Sequence, residues 1–158
     1  MFYDTRQYRK ALEPVRDDRT HALVNILPRE SKRLISKGVL AMPEVKRVLE
    51  KGWFVVSRGI TPAYILEELT NQEFDTANCT AGIITEGRMA SVLEEDRLGP
   101  WVFKDGQLDE TPAPQALSEF TAYDVSIKGA NAVDPEGNIG VFAADKAGGT
   151  VGGIWPTL

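Results

Sequence analysis

Lys128, Asn131 and Asp134 lie within one short run, Lys-Gly-Ala-Asn-Ala-Val-Asp-Pro, at positions 128–135. An amine, a carboxamide and a carboxylate at that spacing can hold a ligand and exchange a proton with it, and these three are the candidate catalytic residues. The run follows the β-prone Val125-Ser126-Ile127 and leads through Glu136-Gly137-Asn138 into Ile139-Gly140-Val141-Phe142. This reads as a buried strand, a polar loop and a second strand, the kind of place where α/β proteins build sites. Lys128 is then a ligand clamp or a perturbed base; a snorkelling surface lysine is the plainer alternative. Asn131 and Asn138 also suit left-handed turn positions, and Asp134 can be structural. Asp134 and Glu136 are too few carboxylates to argue for a metal, and no cofactor is expected.

Two further segments are candidate anion cradles. Gly59 to Ala63 reads as the start of a helix, where backbone N–H groups and the helix dipole favour a phosphate or carboxylate. Arg58 would add a charge-assisted clamp. The alternative is an ordinary strand-to-helix turn that Thr61 caps and Pro62 opens. Gly148-Gly149-Thr150 reads either as a second anion nest or as a flexible turn. The expected ligand-binding set is therefore Arg58, Gly59, Thr61, Gly129, Gly148, Gly149 and Thr150. Ser57 lacks a nucleophile-elbow context, and His21, the single histidine, has no partner motif, so a serine triad is not expected.

The elements that must position these residues follow from pattern and punctuation. Residues 1–27 open with interleaved charges, from Asp4 and Arg6 to Asp18 and Arg19, and read as a charged arm or surface helix. An oligomer-contacting arm anchored by Phe2, Tyr3 and Tyr8 is the sharper alternative. Residues 28–158 read as one α/β domain. Leu34, Ile35 and Leu40, then Val45, Val48 and Leu49, give helical stripes interrupted at Gly38 and Pro43. Lys51-Gly52 ends the second piece. Trp53-Phe54-Val55-Val56-Ser57 is a buried strand, and Thr61-Pro62 starts a helix whose buried face is Ile65, Leu66 and Leu69. Ala81 to Thr85 is the next strand, and Asp105-Gly106 joins Trp101–Lys104 to Gln107-Leu108 in a two-residue hairpin. The glycine-rich end near Leu158 reads either as a short docking turn or as the entrance to a further α/β unit, which would make this a truncated chain.

The 158 residues suit one domain with a genuine core. A net charge of -5 excludes a broad nucleic-acid-binding face but not a small anionic ligand. Cys79 is the only cysteine, so neither an intrachain disulfide nor a thiolate metal cluster can form. No apolar run approaches the roughly 18 residues of a membrane span, and no signal-peptide pattern is present, so a cytoplasmic protein is expected.

Two stretches carry a resemblance. Val55-Val56-Ser57-Arg58-Gly59-Ile60-Thr61-Pro62-Ala63-Tyr64 is similar to the strand, glycine loop and helix that open ribose-5-phosphate isomerase, where loop amides hold the sugar phosphate. Lys128 to Pro135 resembles the Asp-Gly-Ala-Asp-Glu-Val-Asp-Pro segment of the same enzyme. The wider class includes glucosamine-phosphate deaminase and CoA transferases. Against the isomerase, Lys128 and Asn131 stand where it has catalytic aspartates, and Ala132 replaces its glutamate. A carboxamide cannot serve as the base for proton transfer between sugar carbons, so isomerase activity is not implied. Cys79-Thr80-Ala81-Gly82 is similar to the Cys-Asn-Thr-Gly of methylthioribose-phosphate isomerases, whose partner aspartate is here Asn131.

The resemblance implies a three-layer α/β fold with a mostly parallel, Rossmann-like sheet and a small antiparallel hairpin insertion. It implies binding of a small phosphorylated or CoA-type metabolite, with a homo-oligomer expected. The alternative is a non-catalytic sensing or assembly subunit that keeps the fold without its carboxylates.

Overall fold

Pro28 and Pro43 each sit at the first position of a helix, where a missing N–H breaks no intrahelical bond. In the computed structural model, which describes residues 22–143 and 145–158, they open α1 (Pro28–Ala41) and α2 (Pro43–Glu50). The charged arm expected at 1–27 lies outside the described residues for all but 22–27, which form no regular element. The Glu30 carboxylate accepts the Leu27 N–H at 2.7 Å, satisfying a donor at the start of α1. The Lys51-Gly52 stop holds: α2 ends at Glu50, and Gly52 takes φ +137°. A side chain there would press on Val48 and on the Asp124 carboxylate.

The chain then enters β1 (Trp53–Val56), every residue of which is buried. Phe54 and Val56 face one side and pack with Val45 and Val48 of α2, Ile65 and Leu66, and Phe103. Trp53 and Val55 face the other side, against Val102, Ala113, Ala116 and Leu117. A strand with apolar residues at both parities can only sit inside a sheet covered on both faces. After β1 comes α3 (Ile60–Thr70), buried continuously from Pro62 to Glu67 and stopped by Asn71 in the left-handed conformation. Arg33 ties α1 to this helix, reaching Glu67 at 2.5 Å and Glu68 at 3.1 Å.

The sheet departs from expectation. β4 (Trp101–Lys104) pairs antiparallel with β1, β5 (Gln107–Asp109) pairs antiparallel with β4, and only β6 (Val125–Ile127) runs parallel to β1. The order is β5-β4-β1-β6, so the mostly parallel Rossmann-like arrangement does not form. The reason is local pairing. The Asp105-Gly106 hairpin forms as expected, with φ of +49° and +77°, and it lays its β4 arm along one edge of β1. The strand expected at 81–85 is β2 (Gly82–Thr85), which turns at Glu86-Gly87 and pairs with β3 (Arg88–Ser91) outside the main sheet. The second strand expected at 139–142 shrinks to β8 (Ile139–Gly140), paired with β7 (Ala132–Val133) in another separate hairpin. β6, read as buried, is a half-buried edge strand.

On the second face lies α4 (Ala113–Ser118), where the sequence shows only a Pro-rich loop and an Ala116-Leu117 patch. Ala113, Ala116 and Leu117 are its buried stripe. The glycine-rich end forms α5 (Gly149–Ile154) and a closing 3₁₀ turn, Trp155–Thr157. Ile154 packs against the second-face core. A Cβ on Gly152 would collide with the Ala147 carbonyl, so the chain can close this turn only through glycine.

Gly106 and Gly87 separate two costs that glycine avoids. Both have positive φ, but a Cβ on Gly106 would stand 2.6 Å from the Leu49 carbonyl oxygen, whereas nothing lies near one on Gly87. Gly87→Ala should cost about 1 kcal/mol of unfolding free energy from backbone strain alone, and Gly106→Ala about 2–3 kcal/mol or more. Urea denaturation of the two variants measures the difference; equal losses would refute the hairpin-to-α2 contact.

Candidate functional site

The single parallel pair sets the geometry. Because β1 and β6 run the same way, their carboxyl ends lie side by side, and the Ser57 N–H donates to the Ile127 carbonyl at 3.0 Å. Arg58 and Gly59 leave one strand there, and Lys128 and Gly129 leave the other. Gly129 lies against Pro62 in the first turn of α3; a Cβ on it would be 3.4 Å from Pro62 Cδ. Five of the expected residues, Arg58, Gly59, Thr61, Lys128 and Gly129, are therefore gathered at one corner of the sheet.

Part of that corner is already committed. The Gly59 N–H donates to the Cys79 carbonyl at 2.6 Å, and Arg58 Nε donates to the Gly99 carbonyl at 2.7 Å. Helix α3 begins at Ile60 with Gly59 at the cap position and no side-chain cap, so Thr61 lies inside the helix instead of capping it. Its carbonyl accepts a bond from the buried Ser36 hydroxyl at 3.4 Å. Pro62 has no N–H to offer. The amides of Ile60 and Thr61 are what remains of the cradle expected from Gly59 to Ala63.

Lys128 stands differently. Desolvation by surrounding protein lowers its ammonium below the ordinary lysine value, although much of its surface stays open to solvent. No carboxylate among the described residues contributes to that shift.

Asn131 and Asp134 belong to the β7–β8 hairpin that follows, and both hold backbone. Asn131 Oδ1 accepts the Phe142 N–H at 2.9 Å. Asp134 accepts the Asn138 N–H at 2.8 Å and its Nδ2 at 2.7 Å, which holds the exposed carboxyl below its usual range. These are the bonds of a braced turn. Gly148 and Gly149 take φ of +82° and +57°, and the Gly148 N–H donates to the Asp145 carbonyl at 3.0 Å. Thr150 instead lines a pocket on the second face of the sheet. No group of three or more His, Cys, Asp or Glu placed to hold a metal occurs among the described residues.

Ser57, read from the sequence as the end of a buried strand, is fully buried, and what the sequence does not reveal is that its Oγ has no hydrogen-bond partner. Its signal is parity: it continues the Trp53-Val55 side of β1, a polar residue ending an otherwise apolar strand. Cys79 is also fully buried, and its part is structural. Its carbonyl fixes Gly59, while burial, then the charges of Asp75 and Glu67, push its thiol up to about 11.

No protein family, curated protein or solved structure matches the chain. None of its described helices is long and apolar enough to cross a membrane.

The thiol makes a prediction about alkaline stability. Its folded value lies above its ordinary one of about 9, so the stability it contributes is present below pH 9 and is lost as pH rises toward 11. Cys79→Ala should flatten that part of the stability profile. In the unaltered chain, reaction with a thiol reagent at pH 8 should follow the rate of local opening. Rapid labelling of the native protein would contradict it.

Proposed function

We propose that this protein binds a small anionic metabolite, phosphorylated or CoA-type, where β1 and β6 end side by side. The observation that carries this reading is the placement of the strand ends: Lys128 and Gly129 leave β6 where Arg58 and Gly59 leave β1, and Gly129 lies against Pro62, so an exposed ammonium stands beside the start of α3. An anion bound there would meet that charge. The Ile60 and Thr61 amides at the start of α3 and the remaining N–H groups of Arg58 lie on the neighbouring strand end and complete the donor set. This corner also holds the residues that resemble the glycine loop and Gly-Ala turn of the isomerase and CoA-transferase class. In the present chain the carboxylate chemistry of that class is absent from the corner, so the reading is of binding without sugar isomerisation.

Inorganic phosphate, ribose 5-phosphate and CoA are the probes, titrated by calorimetry. Lys128→Ala should weaken the probe that binds by about tenfold or more, as loss of a charged hydrogen bond does. Asp134→Ala should leave binding unchanged. Bound anion should also raise the Lys128 pKa toward or above its ordinary value, read from the lysine side-chain carbon shift against pH. Undiminished binding by Lys128→Ala sinks the assignment.

The second reading, an assembly subunit, is favoured by the two outlying hairpins. Ile84 and Met89 on β2–β3, and Val133, Ile139 and Phe142 beside β7–β8, are large apolar side chains left exposed. Such surface commonly marks a protein contact. Sedimentation should then show self-association that weakens in Ile139→Asp and in Met89→Asp. A concentration-independent monomer would remove this reading.

A further inference from the structure

The second face of the sheet carries a pocket of about 270 Å³ between β1, α4 and α5. Val55 and Ser57 form its β1 side, Ala113, Pro114 and Leu117 its α4 side, and Thr150, Gly153 and Ile154 its α5 side. None of the residues lining it is charged. Its volume falls between the ~150 Å³ of an engineered cavity that takes up benzene and the ~300 Å³ at which drug-sized sites begin.

Ser57 gives the pocket its second, independent mark. The serine is fully buried, shares the parity of Trp53 and Val55 and therefore faces α4. Its Oγ is the one buried side-chain polar atom without a hydrogen-bond partner among the described residues. Buried hydroxyls are ordinarily partnered, as Ser36 is by the carbonyls of Lys32 and Thr61. An unpaired hydroxyl in an apolar recess is the arrangement with which small-molecule sites fix orientation: many apolar contacts and one placed polar group.

We infer that this pocket is a binding site for a small, neutral, largely apolar molecule bearing one hydroxyl or carbonyl group, which hydrogen-bonds Ser57 Oγ. A charged ligand is excluded, because nothing lining the pocket offsets the loss of its hydration. The site is separate from the Lys128 corner: the anion would sit at the strand ends, the neutral ligand beneath α5.

Matched pairs of probes test it, phenol against benzene and p-cresol against toluene, followed by methyl NMR. The hydroxylated probes should bind more tightly than their hydrocarbons and shift the methyls of Ala113, Leu117 and Ile154. Ser57→Ala should weaken phenol and p-cresol by about fivefold or more while leaving benzene and toluene within twofold. It should not lower the unfolding midpoint, since it removes an unpaired polar atom. Absence of binding at millimolar probe, shifts confined to other methyls, or equal weakening of both members of a pair would each overturn the proposal. Ser57→Cys, which keeps a weak donor on a slightly larger side chain, should give intermediate phenol affinity; an affinity no better than that of Ser57→Ala would also count against it.

Discussion

Burial of β1 on both faces and both edges is the constraint on which the remaining structure depends. Its four residues alternate Trp53 and Val55 toward α4 with Phe54 and Val56 toward α2 and α3. Each face thereby acquires a helical cover, and each edge must find a partner for its backbone groups. Polar side chains fix where the strand begins. Asp124 Oδ1 accepts the Trp53 N–H at 2.6 Å, and its other oxygen accepts the Thr121 N–H at 2.7 Å. Burial opposes ionisation of Asp124, but these bonds outweigh it and hold the carboxyl below its ordinary value. Asp105 accepts the Gly52 N–H at 2.8 Å from the hairpin side. Two carboxylates thus hold the entrance of β1 in register with β6 and with the β4–β5 hairpin.

Both proposed sites are consequences of that strand's far end. Val56 is the last residue whose side chain enters the first core, and Ser57, one position later, turns toward α4 with no polar partner. Arg58 and Gly59 then leave the sheet and are latched by the Gly99 and Cys79 carbonyls. The corner is therefore hydrogen-bonded into place on the β1 side. Lys128, on the β6 side, stands exposed at the strand end. The two proposed sites, one polar at the strand ends and one apolar below the sheet, thus draw on consecutive residues of one segment.

Much of the local structure was legible because it is written in short-range chemistry. Proline at a helix start, Lys-Gly at a helix end, Asp-Gly between two β-prone runs and alternating apolar residues each act within a few positions. α4 is not legible in the sequence because a six-residue helix shows barely one repeat of its apolar period. The same limit applies to the candidate site. Lys128 and Arg58 were recognisable as cations beside glycine loops, whereas Asn131 and Asp134 carry the same side-chain chemistry whether they meet a ligand or brace a turn.

The sequence by itself determined the starts of α1 and α2 at Pro28 and Pro43, the stop at Lys51-Gly52, the two-faced burial of Trp53–Val56 and the hairpin turn at Asp105-Gly106, since all of these follow from side-chain type and spacing. Only the tertiary structure decided which strands meet. A β-prone run specifies its own conformation and not its partner, and local closure drew β2 and β8 into separate hairpins while β4 took the edge of β1. That choice left β6 as the parallel neighbour of β1, brought the strand ends before Arg58 and Lys128 side by side, left Asn131 and Asp134 bracing the β7–β8 hairpin, and buried Ser57 without a partner.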